Sequence, residues 1–185
     1  MTSKRLENYF LDVPFRVPLK VYYLTFVSVI LGWCVQLFKK GLKNSISYFP
    51  LYSLVAYVFL LVCSTCIFRD VTETRTLCVM PFWSYKEIIN GEPKYIIENL
   101  MNVVVFLPIG ILTPFVRKNI GVKKIILLGV AVSFGIELIQ LFFKTGLCEF
   151  DDIFHNVLGV LLGYAIYVLT SAIMKRLLNI CRSKV

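Results

Sequence analysis

Five stretches of this 185-residue chain are long and apolar enough to cross a bilayer as helices. They are Val21–Phe38, Ile46–Phe68, Asn99–Val116, Ile125–Phe143 and Ile153–Met174. About 20 apolar residues are needed to span hydrocarbon. Four of the five hold no charged side chain, and the fourth in order holds one, Glu137. Inside a membrane a backbone must satisfy its own hydrogen bonds, so such segments are helices or nothing. Composition removes the competing classes. Hydrophobic residues are 58% of the chain and charged ones 17%, more apolar and less charged than a soluble domain. A globule of this size has too little interior to hide 15 Phe and 10 Tyr. The fold class is all-α, a polytopic integral membrane helical bundle of about five transmembrane helices.

Basic and polar separators divide the chain. Residues 1–20 read as an N-terminal interfacial segment, 21–68 as two helices and 69–98 as an extracytoplasmic amphipathic segment. Residues 99–174 form a three-helix core, and 175–185 a basic cytoplasmic tail. The N-terminal apolar run is too long for a secretory signal, and no small-residue cleavage site follows it. Around 81–97, Phe82, Trp83, Tyr85, Ile88, Ile89 and Tyr95 alternate with charges, which suits a piece lying in the headgroup plane. It either covers the polar residues described below or merely floats on the interface.

Charge sets the expected orientation. With five spans, one side carries eleven basic residues (39–43, 117–124 and 175–184) and no acidic one. The other carries nine basic and ten acidic residues. Short loops rich in Lys and Arg stay in the cytoplasm, so the C-terminus is expected in the cytoplasm and the N-terminus outside. The formal charge of +9 is then a topology signal that also favours anionic lipid, and nucleic acid is not expected as a partner. Of six cysteines, Cys63 and Cys66 form a C-x-x-C inside a span, where they read as small apolar filler. Cys78 and Cys148 fall on one side, which leaves their pairing open.

The informative residues are the polar ones within the spans. Ser133, Glu137, Gln140 and Lys144 share one helix face through spacings of four, three and four. Asp152, Asn156, Gly159 and Gly163 make a second stripe, and Asn99 and Asn102 open the third span. Depth brings these sets together. Glu137 lies roughly 9 Å below the outer boundary, and Asn102 and Asn156 each lie roughly 5 Å below it. Glu149, Asp151 and Asp152 sit just above. An ionisable group facing lipid costs roughly 3 kcal/mol, so Glu137 is expected to face the bundle. Gly159 and Gly163 form a small-xxx-small pair that lets a neighbouring helix approach. For Asn99, Asp151 and Lys144 an interfacial role is the simpler reading. For Asn102, Gln140 and Asn156, helix glue and a site are equally open. His155, the single histidine, is expected to partner Asp151 or lie at the interface.

Together these residues resemble the VanZ-like family of bacterial membrane proteins. The resemblance runs through Asn102-x-x-x-Phe106-x-Pro108-x-Gly110, then Glu137-x-x-Gln140, then Gly146-x-x-Glu149-x-x-Asp152-x-x-x-Asn156-x-x-Gly159. Pro81-Phe82 matches a Pro-Phe pair of the family, and Glu149 stands where the family often has Asp. The likeness covers roughly residues 80–165 and is weaker over the first two spans. It implies the bacterial cytoplasmic membrane and, by analogy with the family's named member, lowered susceptibility to teicoplanin.

Three functions follow as expectations. The first is a site for a lipid headgroup or lipid-linked cell-envelope precursor, with Glu137 and Asp152 as catalytic groups and Asn102, Gln140, Asn156 and Glu149 as binding groups. A divalent cation on Glu149 and Asp152, with Asn156 as a neutral partner, is a candidate cofactor. The second is a non-catalytic protein that alters the cell surface, so that a glycopeptide antibiotic with a lipid tail binds less. The third, a small transporter, lacks the internal repeat and paired broken helices of that class. No H-E-x-x-H motif, no Ser–His pair and no glycine-rich phosphate loop appears. The orientation is directly testable: in sealed cells an impermeant thiol reagent should reach Cys78 or Cys148 and spare Cys181. Labelling of Cys181 would invert the topology.

Overall fold

A computed structural model describes residues 17–73 and 76–182. Up to residue 16, the interfacial segment read over 1–20 lies outside them. The chain is a polytopic membrane helical bundle with five helices long and apolar enough to cross a membrane. Helix α1 spans Leu19–Lys40 and stops at Gly41, whose φ of +75° suits a residue without a Cβ. A short turn, Leu42–Ser45, and a 3-10 turn, Ile46–Tyr48, lead into α2, Phe49–Val62. A π-helical turn, Cys63–Ile67, extends α2. The strand β1 (Thr76–Cys78) and the short helix α3 (Trp83–Ile89) follow. Then come α4 (Lys94–Val116), α5 (Val122–Phe143), strand β2 (Leu147–Glu149) and the long α6 (Phe150–Arg182).

Every expected span is present, and every helix but α2 overruns its apolar stretch at one end or both. Helix α4 begins five residues before Asn99, and α6 continues through the basic segment to Arg182. Apolar length reports only the part matched to hydrocarbon, whereas a helix continues into the headgroups as long as its backbone bonds persist. The two strands were not expected. They are three residues each and pair in parallel, Leu77 beside Cys148 and Cys78 beside Glu149. Three residues are too few to show a strand's alternation. Cys78 and Cys148 are free thiols. One step apart in this register, they project to opposite faces of the ladder, so they do not pair.

The bundle is built around α4 and α6, its most extensively packed pair. The two run parallel and touch through glycine. A Cβ on Gly159 would lie 2.2 Å from the Val103 carbonyl oxygen, and one on Gly163 would lie 2.1 Å from that of Leu107. In the reverse sense, a Cβ on Gly110 would lie 2.0 Å from the carbonyl oxygen of Val160. Backbone thus meets backbone where any side chain would separate the helices. Helix α5 lies antiparallel against α6, with Gly129 beside Val160. Buried Leu61, Phe106, Ile109, Ile125, Ile136 and Val160 fill the space between helices α2, α4, α5 and α6. Pro108 leaves a carbonyl unbonded within α4, and the Tyr57 hydroxyl donates to the neighbouring Val105 carbonyl at 2.6 Å. Helix α1 is peripheral, with Thr25 its one buried residue and α2 its main neighbour.

Glycine replacement tests this frame. Gly159→Ala drives a Cβ against backbone that cannot rotate away, so overpacking should cost about 1–3 kcal/mol and lower the melting temperature in detergent. Gly135→Ala is the control, since nothing lies within 4 Å of its Cβ position. It should leave the melting temperature unchanged or raise it slightly.

Candidate functional site

The polar residues of α4, α5 and α6 meet in one layer because the glycine contacts fix the axial register of the helices. Rungs between α5 and α6 climb towards it. Gly129 faces Val160; one turn up, Asn156 Nδ2 donates to Ser133 Oγ at 2.9 Å. A further turn brings Glu137 and Asp152 to the same level. Asn102 on α4 completes the layer, its Nδ2 donating to Asp152 Oδ1 at 2.6 Å.

Glu137 is buried, 2% exposed, and turned into the bundle as expected. Its direct partner differs from the expected side chains. Oε2 accepts the backbone N–H of Glu149 at 3.0 Å, so the loop after α5 folds back over the carboxylate. Asp152 and Glu149 lie within electrostatic reach of it, as does the guanidinium of Arg69. Glu149 in turn accepts the Trp83 indole N–H at 3.0 Å. Burial, reinforced by the charge of Asp152, pushes the Glu149 carboxyl up to about 8, and the Trp83 hydrogen bond opposes that rise. Burial also pushes the neighbouring Cys148 thiol up. A buried thiol kept protonated is unreactive, which leaves Cys78 as the thiol that surface labelling reads.

Gln140 is also buried, yet it is not brought to Asn102 or Asn156. Its Nε2 donates to the Thr65 carbonyl at 3.0 Å, in the π-helical turn that ends α2. Gln140 thus fastens α5 to α2. Its backbone carbonyl also accepts from Lys144 and Thr145, where α5 ends on Lys144 at a φ of +58°.

Asp151 is the residue that sequence reasoning undervalued. Expected at the interface, it is wholly buried. Its carboxylate accepts Phe82 N at 2.5 Å, Ser84 N at 3.0 Å and Ser84 Oγ at 2.6 Å. It therefore supplies from another helix the cap that the start of α3 lacks in its own sequence. This accounts for Pro81-Phe82: Phe82 takes the left-handed φ of +60° that turns the chain into α3. Asn99 joins the same cluster through Ser84 Oγ at 3.1 Å. His155 pairs with the Tyr85 hydroxyl at 2.8 Å and stacks on its ring, a second tie from α6 to α3. The amphipathic segment is accordingly docked over the polar layer. Capping across 67 residues of sequence leaves no local signal, which is why Asp151 was missed.

Arg69 was also missed, because it lies beyond the second span. Thr72 donates to the Lys144 carbonyl through both N–H and hydroxyl, at 2.7 and 2.9 Å. With β1–β2, these bonds lay residues 69–73 and 76–78 along the loop after α5. The Arg69 guanidinium comes to rest over Gly146, 3.0 Å from where a Cβ there would lie.

This arrangement of carboxylates in a helical membrane core carries the expected family likeness into three dimensions. The VanZ/LLP1 family model matches residues 49–173, more than half of the chain. The chain belongs to the VanZ/LLP1 family. No curated protein and no solved structure matches it. The match takes in α2, which the sequence motifs did not reach, and α2 meets the core through Gln140–Thr65 and Tyr57–Val105.

Glu149 and Asp152 each commit one carboxylate oxygen to a protein donor. Among the described residues, no group of three or more His, Cys, Asp or Glu converges as metal ligands do. The raised Glu149 carboxyl gives a pH test with a definite sign. Below about 4.5 it is protonated both folded and unfolded. Between that ordinary value and about 8, the folded protein keeps a proton that the unfolded chain has released. Stability should fall as pH rises through that window and level off above it. Melting curves across it should be flatter for Glu149→Gln, which keeps an acceptor for Trp83. An unchanged slope would show that Glu149 is not held this way.

Proposed function

We propose that this VanZ-family membrane protein binds or acts on a lipid headgroup or lipid-linked cell-envelope precursor at the outer leaflet, and that it lowers susceptibility to teicoplanin by doing so. The observation that carries this reading is the unbridged pair of Glu137 and Asp152. Each is held by its own donor, Glu149 N–H and Asn102 respectively, and no hydrogen bond joins the two among the described residues. Two carboxylates kept side by side in a membrane core are costly, and a structural role does not require them. Their combined use is to meet a positively charged or proton-donating ligand.

In this reading Glu137 takes or gives a proton at the ligand, because its carboxylate is fixed and withdrawn from bulk water. Asp152 supplies the second charge, and Asn102 orients it. Asn156 lies one turn below as a neutral binding group. Glu149 closes the layer from above through its backbone and carries its own carboxylate at the edge. Gln140 gives its Nε2 to the turn that ends α2 and keeps a buried, unpartnered Oε1 as an acceptor. The docked α3 shields the layer on the α6 side. The outer-leaflet placement rests on the distribution of basic loops.

Loss of charge with volume kept is the decisive substitution. Glu137→Gln and Asp152→Asn should each abolish whatever teicoplanin tolerance the protein confers on its host. Asn156→Ala should weaken it less. Membrane insertion of each variant is verified first by fractionation and immunoblot. If both carboxylate variants insert and protect as well as the parent, the polar layer is not the working part.

A further inference from the structure

The polar layer has a chemical bias that narrows its ligand. Around the unbridged level of α5 and α6 lie the Glu137 and Asp152 carboxylates and, one turn below, Asn156 Oδ1. Asn156 is 3% exposed, and its Nδ2 is spent on Ser133 while its Oδ1 has no hydrogen-bond partner. All three groups accept hydrogen bonds. The layer is closed from below, since Gly129 brings Val160 and Val157 against α5. It is held from above by the Glu149 backbone. What is missing is a donor, and the shape of the deficit is three acceptors from two helices. A primary ammonium carries three N–H donors and one positive charge.

Arg69 is a cation that acts on both Glu137 and Asp152. It forms no ion pair with either among the described residues, and it is exposed at the rim over Gly146. Gly146 is what lets the guanidinium settle there, since even a methyl group would press against it. Its position leaves the planar fork open to solvent, and such a fork matches phosphate oxygens. A cation at the rim and an acidic, acceptor-lined level beneath it form a pair of opposite charges in fixed order.

Resting on the headgroup reading above, we infer that the site takes a zwitterionic phosphodiester bearing a primary ammonium, as in phosphatidylethanolamine. The ammonium enters between Glu137, Asp152 and Asn156, and the phosphate stays on Arg69. Trimethylation of the ammonium removes every N–H donor, and a glycerol head removes the positive charge. Both should therefore be rejected, for different reasons.

The test uses the full-length purified protein in mixed micelles. Native mass spectrometry follows retention of phosphatidylethanolamine, phosphatidylcholine and phosphatidylglycerol, matched in acyl chains. Phosphatidylethanolamine should be retained roughly ten-fold or more over each of the others, the worth of about one charge-assisted hydrogen bond. Arg69→Gln changes an exposed residue and should fold normally, yet lose a similar factor for phosphatidylethanolamine. Glu137→Gln should erase the preference over phosphatidylcholine. Competition by free O-phosphoethanolamine would assign recognition to the head alone; retention in its presence would assign it to the lipid. Equal retention of the three lipids, or an Arg69→Gln protein that retains phosphatidylethanolamine as strongly as the parent, overturns the inference. If the preference is absent while Glu137→Gln still abolishes teicoplanin tolerance, only the ligand assignment fails. If the preference holds while both carboxylate variants still protect, the lipid site stands and the resistance reading fails.

Discussion

The contact of α4 with α6 through Gly110, Gly159 and Gly163 is the constraint on which the rest of this protein depends. Lipid tails are as apolar as leucine, so burial alone cannot hold two helices together in a membrane. Close backbone approach can, because it multiplies short van der Waals and Cα–H···O contacts along the seam. It also fixes register. With Val103 under Gly159 and Leu107 under Gly163, the helices cannot slide by a turn without driving a side chain into backbone. Asn102 is therefore held opposite Asp152, and their 2.6 Å hydrogen bond follows from the seam.

The polar layer is secured from outside the membrane core as much as from within it. Its three helices bring carboxylates together, an arrangement that is unfavourable in isolation. The compensation comes from backbone and ring N–H groups delivered by the connecting segments: Glu149 N to Glu137, Trp83 Nε1 to Glu149, and Phe82 and Ser84 N to Asp151. Loops here serve as ligands to a charged core. The contacts of residues 69–73 and 76–78 with 144–149 hold this cover in place and set Arg69 at its edge.

Division of labour among the acidic residues is the main functional consequence. Asp151 and Asp152 are adjacent in sequence and differ wholly in use. Asp151 points to α3 and is saturated by three hydrogen bonds, whereas Asp152 points to α4 and α5 and accepts one from Asn102. Neighbouring residues on a helix point about 100° apart, and here that angle separates a cap from a candidate site residue. Gln140 and Asn156 divide in the same way. Both are buried carboxamides, but one reaches the π-helical turn of α2 and the other spans α5 and α6.

The sequence by itself determined the five helices, the inward face of Glu137, the depth at which Asn102, Glu137, Asp152 and Asn156 meet, and the glycine pair that draws a neighbour close. Each is a matter of local pattern: apolar length against bilayer thickness, and spacing of three or four along one helix. The tertiary structure alone decided partners. It gave Glu137 to the Glu149 backbone, Gln140 to α2, Asp151 to the start of α3, His155 to Tyr85, and Arg69 to the rim. It also created the short parallel ladder that no alternation announced. Helical phase tells which way a side chain points, but a hydrogen bond needs its partner placed to a fraction of an ångström. In this protein those partners come from segments up to 75 residues away, brought into reach by packed glycines and folded loops.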